Sequence, residues 1–205
     1  MSNEIVGILL AAGVGSRFGG DKLMYRLPDG TPIAVAAAAN LRPACERMVA
    51  VLRTDHDELA TLLTAAGCEI IRCPEAEEGM GHSLAASVHA TADAAAWIVA
   101  LADMPFIASS SHRAVASCIQ AGASLAASHY QGQRGHPVGF SREWFAQLAA
   151  MTGDQGGKTI LDKHRQNLIL CPVDDPGVIL DIDRKEDLTG ISRVDGNWSA
   201  EILPT

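Results

Sequence analysis

Ile5 to Leu10 form an apolar run, IVGILL, with no polar alternation. A strand of this kind belongs where both faces are covered, in a parallel sheet with helices on either side. The run then breaks. Ala11, Ala12 and Gly13 are small, and Gly13, Gly15, Gly19 and Gly20 keep the next positions free of bulk, while Arg17 and Lys22 bring positive charge. Backbone N–H groups in such a loop can approach anionic oxygens, because no side chain stands in the way. The stretch therefore predicts a buried strand delivering a phosphate cradle.

The rest of the chain repeats the strand-helix rhythm. A turn at 25–31 leads to an Ala-rich helix over 33–40. A strand over 47–53 is followed by an amphipathic helix over 55–66, capped by Asp55 and stopped by Gly67, and by a strand over 68–73. Right-handed βαβ crossovers then imply a parallel sheet with helices on both faces. The loop 74–82 precedes a helix over 83–92 with Ser83 as its cap. A strand over 96–104 precedes a helix over 109–121 with caps offered by Ser109 to Ser111. Strands over 125–130 and 136–140 form a hairpin that leaves the βαβ rhythm. A helix over 142–151, a second Gly-rich loop at 153–158, a helix over 159–164 and late strands over 168–173 and 178–182 complete the pattern. A last helix begins at Glu186, and the residues from Thr189 onward read as a loosely packed tail.

At 205 residues the chain suits one α/β domain, with a core at about 5–188 and a tail at 189–205. The net charge of −8 argues against nucleic acid or an anionic membrane as a partner, so recognition of phosphate must be local. Five cysteines, at 45, 68, 73, 118 and 171, have neither C-x-x-C nor zinc spacing, which suits reduced thiols. Glu4 stands where a signal peptide carries positive charge, and no apolar run approaches the ~18 residues of a membrane span. The expected location is the cytoplasm.

Several residues carry chemistry on this reading. Asp103 closes a buried strand, where open α/β sheets bind their ligands; a carboxylate there calls for a cation, and Mg²⁺ is commonly held by one or two carboxylates plus substrate phosphates. A cap on the following helix is its structural alternative. Gly79 to Leu84 place backbone donors and the Ser83 hydroxyl at a helix start. Gly135, His136, Pro137 and Val138 suit a wall of an acceptor pocket, with His136 equally readable as a structural histidine. Gly156 and Lys158 suit a second phosphate, or an ordinary surface loop. In Asp181-Ile182-Asp183 the alternation places both carboxylates on one face of a strand. This is a kit for metal-assisted attack on a nucleoside triphosphate, which needs alignment and charge neutralisation more than a nucleophilic side chain.

Two widespread phosphate loops do not fit. The dinucleotide fingerprint G-x-G-x-x-G requires Gly where the chain has Phe18, and the P-loop requires Gly-Lys-Ser/Thr where it has Asp21, Lys22 and Leu23. The stretch resembles the nucleotidyltransferase pattern L-A-A-G-x-x-x-R-[MF]-G-x-x-K, through Leu10, Ala11, Ala12, Gly13, Arg17, Phe18, Gly19 and Lys22. The blocks LAAGVGSRFGGDKL, GMGHSL, ALADMPF, GHPVGFSR, GDQGGKTILDKH and DIDRKEDL occur in the order seen in MobA-like nucleotidyltransferases. From about Val6 to Leu188 the chain looks most like their molybdenum cofactor cytidylyltransferase branch.

That resemblance implies a three-layer Rossmann-like nucleotidyltransferase fold with a mostly parallel mixed sheet. It also implies Mg²⁺-dependent transfer of CMP from CTP to the terminal phosphate of a molybdopterin-type cofactor, with a molybdenum hydroxylase as recipient. By position, Leu10, Ala11, Ala12 and Gly13 would meet base and sugar, and Gly15, Ser16, Arg17 and Gly19 the triphosphate. Lys22 would neutralise charge at the reacting phosphates. Asp103 and Asp183, with Asp181 as the alternate, would hold Mg²⁺. Gly81 and Ser83 would help to read the cytosine, and His136, Pro137, Gly156 and Lys158 would line the acceptor pocket. The chain departs from the branch at Gly15, usually Ser, at Phe18, usually Met, and at Arg184-Lys185, usually Thr-Pro. The last departure bears on how Asp183 is presented. A sibling transferase using GTP or another triphosphate, and a non-catalytic carrier of the cofactor, share most of these features.

Overall fold

The computed structural model describes residues 4–13, 18–154 and 156–188, and the backbone of 191–194 and 197–200. Its seven-stranded sheet is formed by β1 (Ile5–Leu10), β2 (Arg47–Leu52), β3 (Glu69–Arg72), β4 (Ala96–Leu101), β5 (Leu125–Tyr130), β6 (Gln133–Ser141) and β7 (Leu168–Pro172), in the order β3-β2-β1-β4-β6-β5-β7. β6 runs against both of its neighbours, and the other pairings are parallel. This is the mostly parallel mixed sheet expected from the sequence.

Side chains alternate across β1 and so feed two cores. Ile5 and Leu9 pack with α1 (Ile33–Leu41), α2 (Asp57–Ala65) and α4 (Ser109–Gln120). Val6, Ile8 and Leu10 pack with α3 (Met80–Ala90), α5 (Phe145–Ala149) and α6 (Lys158–Lys163). Gly7 lets α1 approach the sheet closely: a Cβ there would lie 2.6 Å from Cys45 Sγ and 3.2 Å from Leu41 Cδ2. On the other face Trp97 is fully buried, and its Nε1 donates to Thr91 Oγ1 at 2.8 Å, so its one polar atom is satisfied.

The chain runs outward from β1 through β2 to β3, then returns to place β4 on the other side of β1. The carboxyl ends of β1 and β4 therefore flank a topological switch point, where a crevice opens for ligands.

Local differences from the sequence expectation have physical reasons. Helix α2 begins after His56, and Asp55 does not cap it. Helix α4 has no side-chain cap from Ser109 to Ser111; the buried Asp175 serves it from a distance, its Oδ2 accepting from Ala108 N at 2.9 Å and Ser111 Oγ at 2.6 Å. Its Oδ1 accepts from Gly177 N at 3.0 Å and tightens a 3₁₀ turn over Pro176–Ile179, so 178–182 does not form the expected strand. The helix expected over 142–151 divides into a 3₁₀ turn at Arg142–Trp144 and the short α5. In place of a last helix, Lys185–Leu188 form a 3₁₀ turn. Within the expected tail, β8 (Ile191–Val194) and β9 (Asn197–Ala200) pair as an antiparallel hairpin. Among the described residues no helix is long and apolar enough to cross a membrane.

Candidate active site

Lys22 stands at the centre of the crevice. The turn that carries it is anchored by the buried Leu23 and Leu27, and by Ala34 N donating to Leu23 O at 3.1 Å. Asp103 follows β4, whose ladder with β1 continues as Ala102 N donates to Leu10 O at 3.0 Å. The Lys22 ammonium donates to Asp103 Oδ2 at 2.8 Å and lies 3.5 Å from Asp183 Oδ1. Side-chain exposures are 9% for Lys22, 25% for Asp103 and 43% for Asp183, so a nearly dry cation sits between two partly wetted carboxylates. A lysine this buried requires such partners. A lysine in a Gly-rich loop reads in sequence as an exposed residue, whereas Lys22 is buried.

Asp183 is brought in by its own segment. Ile182 N donates to Asp103 O at 3.0 Å, and Asp187 Oδ2 accepts from Asp183 N at 2.8 Å and Arg184 N at 2.7 Å. Because this segment is not a strand, the same-face argument for Asp181 and Asp183 does not hold. Asp181 is exposed and lines a further cavity with Gln133 and His136, one that does not include Lys22 or Asp103. Phe18 and Lys185, two departures from the branch pattern, meet in space. Phe18 packs edge-on to Tyr25 at 5.2 Å between ring centroids, and Lys185 Nζ lies 5.9 Å from both rings.

A cleft of about 280 Å³ opens over Lys22 and Asp103, with Leu10, Ala12, Gly13, Met80 and Ser83 in its walls. Ala11 turns into the core instead. Gly15, Ser16 and Arg17 lie outside the described residues. Gly19 is exposed, with φ at +73°. The GMGHSL block differs from its expected form: α3 starts at Met80, so Ser83 is a buried residue within the helix and not its cap. Gly81 N donates to Gly153 O at 2.7 Å and is engaged within the fold. A Cβ on Gly79 would lie 2.1 Å from the backbone carbon of Gly153, so glycine is what allows the two Gly-containing loops to touch.

A second cavity of about 380 Å³ adjoins the first, sharing Leu10, Met80, Leu101 and Asp154 with it. His136, Gly156 and Lys158 line it, as does Arg134, which sequence reasoning did not select. Pro137 is buried beside His136 without lining the cavity. The His136 Nδ1 is buried with no hydrogen-bond partner, and burial pulls its pKa below the usual histidine range against the opposing pull of Asp103. Asp187, which fixes Asp183 from four residues away, and Asp175, which ties the turn at Gly177 to the start of α4, were likewise unselected; the bonds of Asp175 to Ala108 and Ser111, far along the chain, leave no local spacing to read.

Among the described residues no cluster of three or more His, Cys, Asp or Glu side chains is arranged to hold a metal. Asp103 and Asp183 nonetheless fit a hard divalent cation: both offer carboxylate oxygens around one positive charge, and substrate phosphates commonly complete such a shell.

Residues 7–168 match the family model of the MobA-like NTP transferase domain. The purine catabolism protein PucB of Bacillus subtilis is 25% identical over 202 residues, covering 94% of this chain and 98% of that protein. The crystal structure of Rv0371c from Mycobacterium tuberculosis superposes with a TM-score of 0.79 at 25% identity, over 90% of this chain and 95% of that one; a structure of Rv0371c in complex with manganese gives 0.77 at 23%, over 91% and 96%. The molybdopterin-guanine dinucleotide biosynthesis protein A of Archaeoglobus fulgidus shares the fold, with a TM-score of 0.61 at 19% identity over 89% of this chain and 94% of that one. The family match spans the strand carrying the Gly-rich loop, Lys22, Asp103 and both Gly-containing loops, and stops short of Asp183. On that match the chain belongs to the MobA-like NTP transferase family.

Proposed function

We propose that the protein transfers CMP from CTP to the terminal phosphate of a molybdopterin-type cofactor and releases pyrophosphate. The observation that carries this reading is the placement of Lys22 between Asp103 and Asp183 at the foot of a cleft walled by Ala12 and Gly13. An oxygen of the acceptor phosphate attacks the α-phosphorus of CTP, and the bond to the bridging oxygen of the β-phosphate breaks, its electron pair leaving with pyrophosphate. Lys22 neutralises charge that builds on the phosphates, and its rigid seat means that little reorganisation is needed as charge moves. Asp103 and Asp183 would hold Mg²⁺, which would supply neutralisation of phosphate charge and Lewis-acid polarisation when bound. No side chain need act as a nucleophile.

Ala12 contributes a methyl group to the cleft wall, which favours the smaller pyrimidine. A methyl-sized difference in a pocket is worth about 1–3 kcal/mol of discrimination. The adjoining cavity, with its apolar floor and cationic rim, takes the acceptor. The proposed recipient of the product is a molybdenum hydroxylase; the name of the Bacillus relative, a purine catabolism protein, suits delivery to an enzyme acting on purines. The test is pyrophosphate release with Mg²⁺ and purified molybdenum cofactor, comparing CTP, GTP, ATP and UTP. Release with CTP is expected. Release with GTP alone moves the base assignment, and no release with any nucleotide overturns the transfer reading.

A further inference from the structure

The acceptor cavity does not end at Lys158. It continues into an open groove of about 510 Å³ lined by Arg134, Lys158, Asp162, Arg165, Leu168 and Leu170. Arg134 and Lys158 line both spaces and form the passage between them. Arg134 Nη1 donates to Asp162 Oδ1 at 2.9 Å, and Arg165 Nη2 lies 3.7 Å from the same oxygen. Three cations thus surround one carboxylate, an excess of two positive charges in a chain whose net charge is −8. The Asp162 carboxyl is held below the usual range, first by the Arg134 hydrogen bond and then by the nearby charges of Arg134, Arg165 and Lys158.

The order of the cavities gives this cluster a direction. Lys22 and Asp103 line the first cavity, Met80 and Asp154 line both the first and the second, and Leu84, Val99, Val138 and Leu161 give the second an apolar stretch beside Arg134 and Lys158. An acceptor seated with its reacting phosphate at Lys22 would span the apolar stretch and present its far end to the cationic cluster. Resting on the transfer reading above, we propose that Arg134, Lys158 and Arg165 form an anion subsite for a second negatively charged group of the acceptor, with Asp162 positioning Arg134 and competing for its charge. The acceptor class is then a molecule that carries a second anionic group besides its reacting phosphate. The subsite rests on side chains; α6, which begins at Lys158, is too short to bind an anion by its end.

The deciding feature is a reversal of sign between the partners of one ion pair. With purified molybdenum cofactor and CTP, Arg134→Gln should raise the acceptor KM about tenfold, the scale of one lost charged hydrogen bond, while moving kcat and the CTP KM far less. Asp162→Asn removes the competing charge but keeps an oxygen for Arg134, and should lower the acceptor KM. Lys158→Gln, at an exposed position, should follow Arg134→Gln and serves if that variant folds poorly. Added salt should shrink the differences. If Asp162→Asn raises the acceptor KM as Arg134→Gln does, the pair is structural and the proposal is overturned; an unchanged acceptor KM in both Arg134→Gln and Lys158→Gln overturns it as well. A second arm titrates inorganic sulfate and reads the rise in Tm without any transfer. The expected rise is smaller in Arg134→Gln and larger in Asp162→Asn than in the unmodified protein. Identical rises in all three overturn the subsite even where transfer succeeds, whereas graded rises without transfer keep the subsite and remove the transfer reading. Graded rises with an unchanged acceptor KM identify a site for free anions and overturn its assignment to the acceptor.

Discussion

The two halves of the sheet handle positive charge differently. Beside β1 and β4, in the parallel half, one lysine is nearly dry and clasped between two carboxylates. Around β6 and α6, where the strand direction reverses, the cations Arg134, Lys158 and Arg165 gather at an open groove and share one carboxylate. A buried cation with fixed partners acts at short range and is little screened, which suits charge that develops at one phosphorus atom. An open cluster is screened by salt and adjusts to what it meets, which suits recognition. On the proposed reading, chemistry falls to the first half and acceptor choice to the second.

The largest expected effect comes from breaking the clasp. Asp103→Ala should lower metal-dependent pyrophosphate release by about 10³-fold, while circular dichroism shows the fold retained. Near-normal release would remove Asp103 from the metal role. Lys22→Ala should slow release by about 10²-fold and, because the side chain is buried and paired, also lower stability by about 1–2 kcal/mol, discounted for the exposure of its partners. A urea midpoint unchanged from that of the unmodified protein would contradict the reading of Lys22 as a buried, partnered charge.

Smaller effects test how the halves are joined. Asp175→Ala strands Ala108 N, Ser111 Oγ and Gly177 N, and should cost about 2–3 kcal/mol in urea unfolding, with slower release as a secondary loss. The antiparallel half should also be the acid-sensitive one. His112 on α4 is buried with its Nδ1 unpartnered, and burial, with some help from neighbouring His136, pushes its pKa down to about 3. The folded state holds it neutral, while the unfolded chain takes up a proton below its ordinary value of about 6.5. Stability from this group is therefore full above about pH 6.5 and declines as pH falls toward 3, by at most about 1.4 kcal/mol per unit, or about 2 kcal/mol by pH 5. His112→Leu should flatten that slope in urea melts at pH 7.5 and 5; an unaltered slope would place the acid sensitivity elsewhere.

The parallel half was the more legible in sequence. IVGILL and AWIVAL are buried on both faces and announce themselves by continuous hydrophobicity, and the acid and lysine that follow them stand out against it. Arg134, Asp162 and Asp187 gave no such signal, since an arginine in a hairpin or an acid in a short helix reads as ordinary surface. Asp181 and Asp183 show the limit of periodicity: alternation separates faces only where the backbone is a strand, and here Asp175 and Gly177 divert the chain into a turn. Ser83 failed as a cap for a related reason, because α3 is entered through the contact of Gly81 with Gly153, a residue far along the chain.

Asp183 reaches Lys22 from a segment that follows β7, the last strand of the main sheet in chain order. As the chain leaves the ribosome, all seven strands have been synthesised by Pro172, yet the lysine then has Asp103 as its carboxylate partner and waits for the other. Ile182 N donates to the Asp103 carbonyl beside the clasp and holds that segment in place. The charge balance around Lys22 is thus settled only after the seven strands have been made, and a nascent chain with every layer of the sheet in place still lacks the second carboxylate, so on the proposed reading competence for transfer follows the folding back of the segment that carries Asp183.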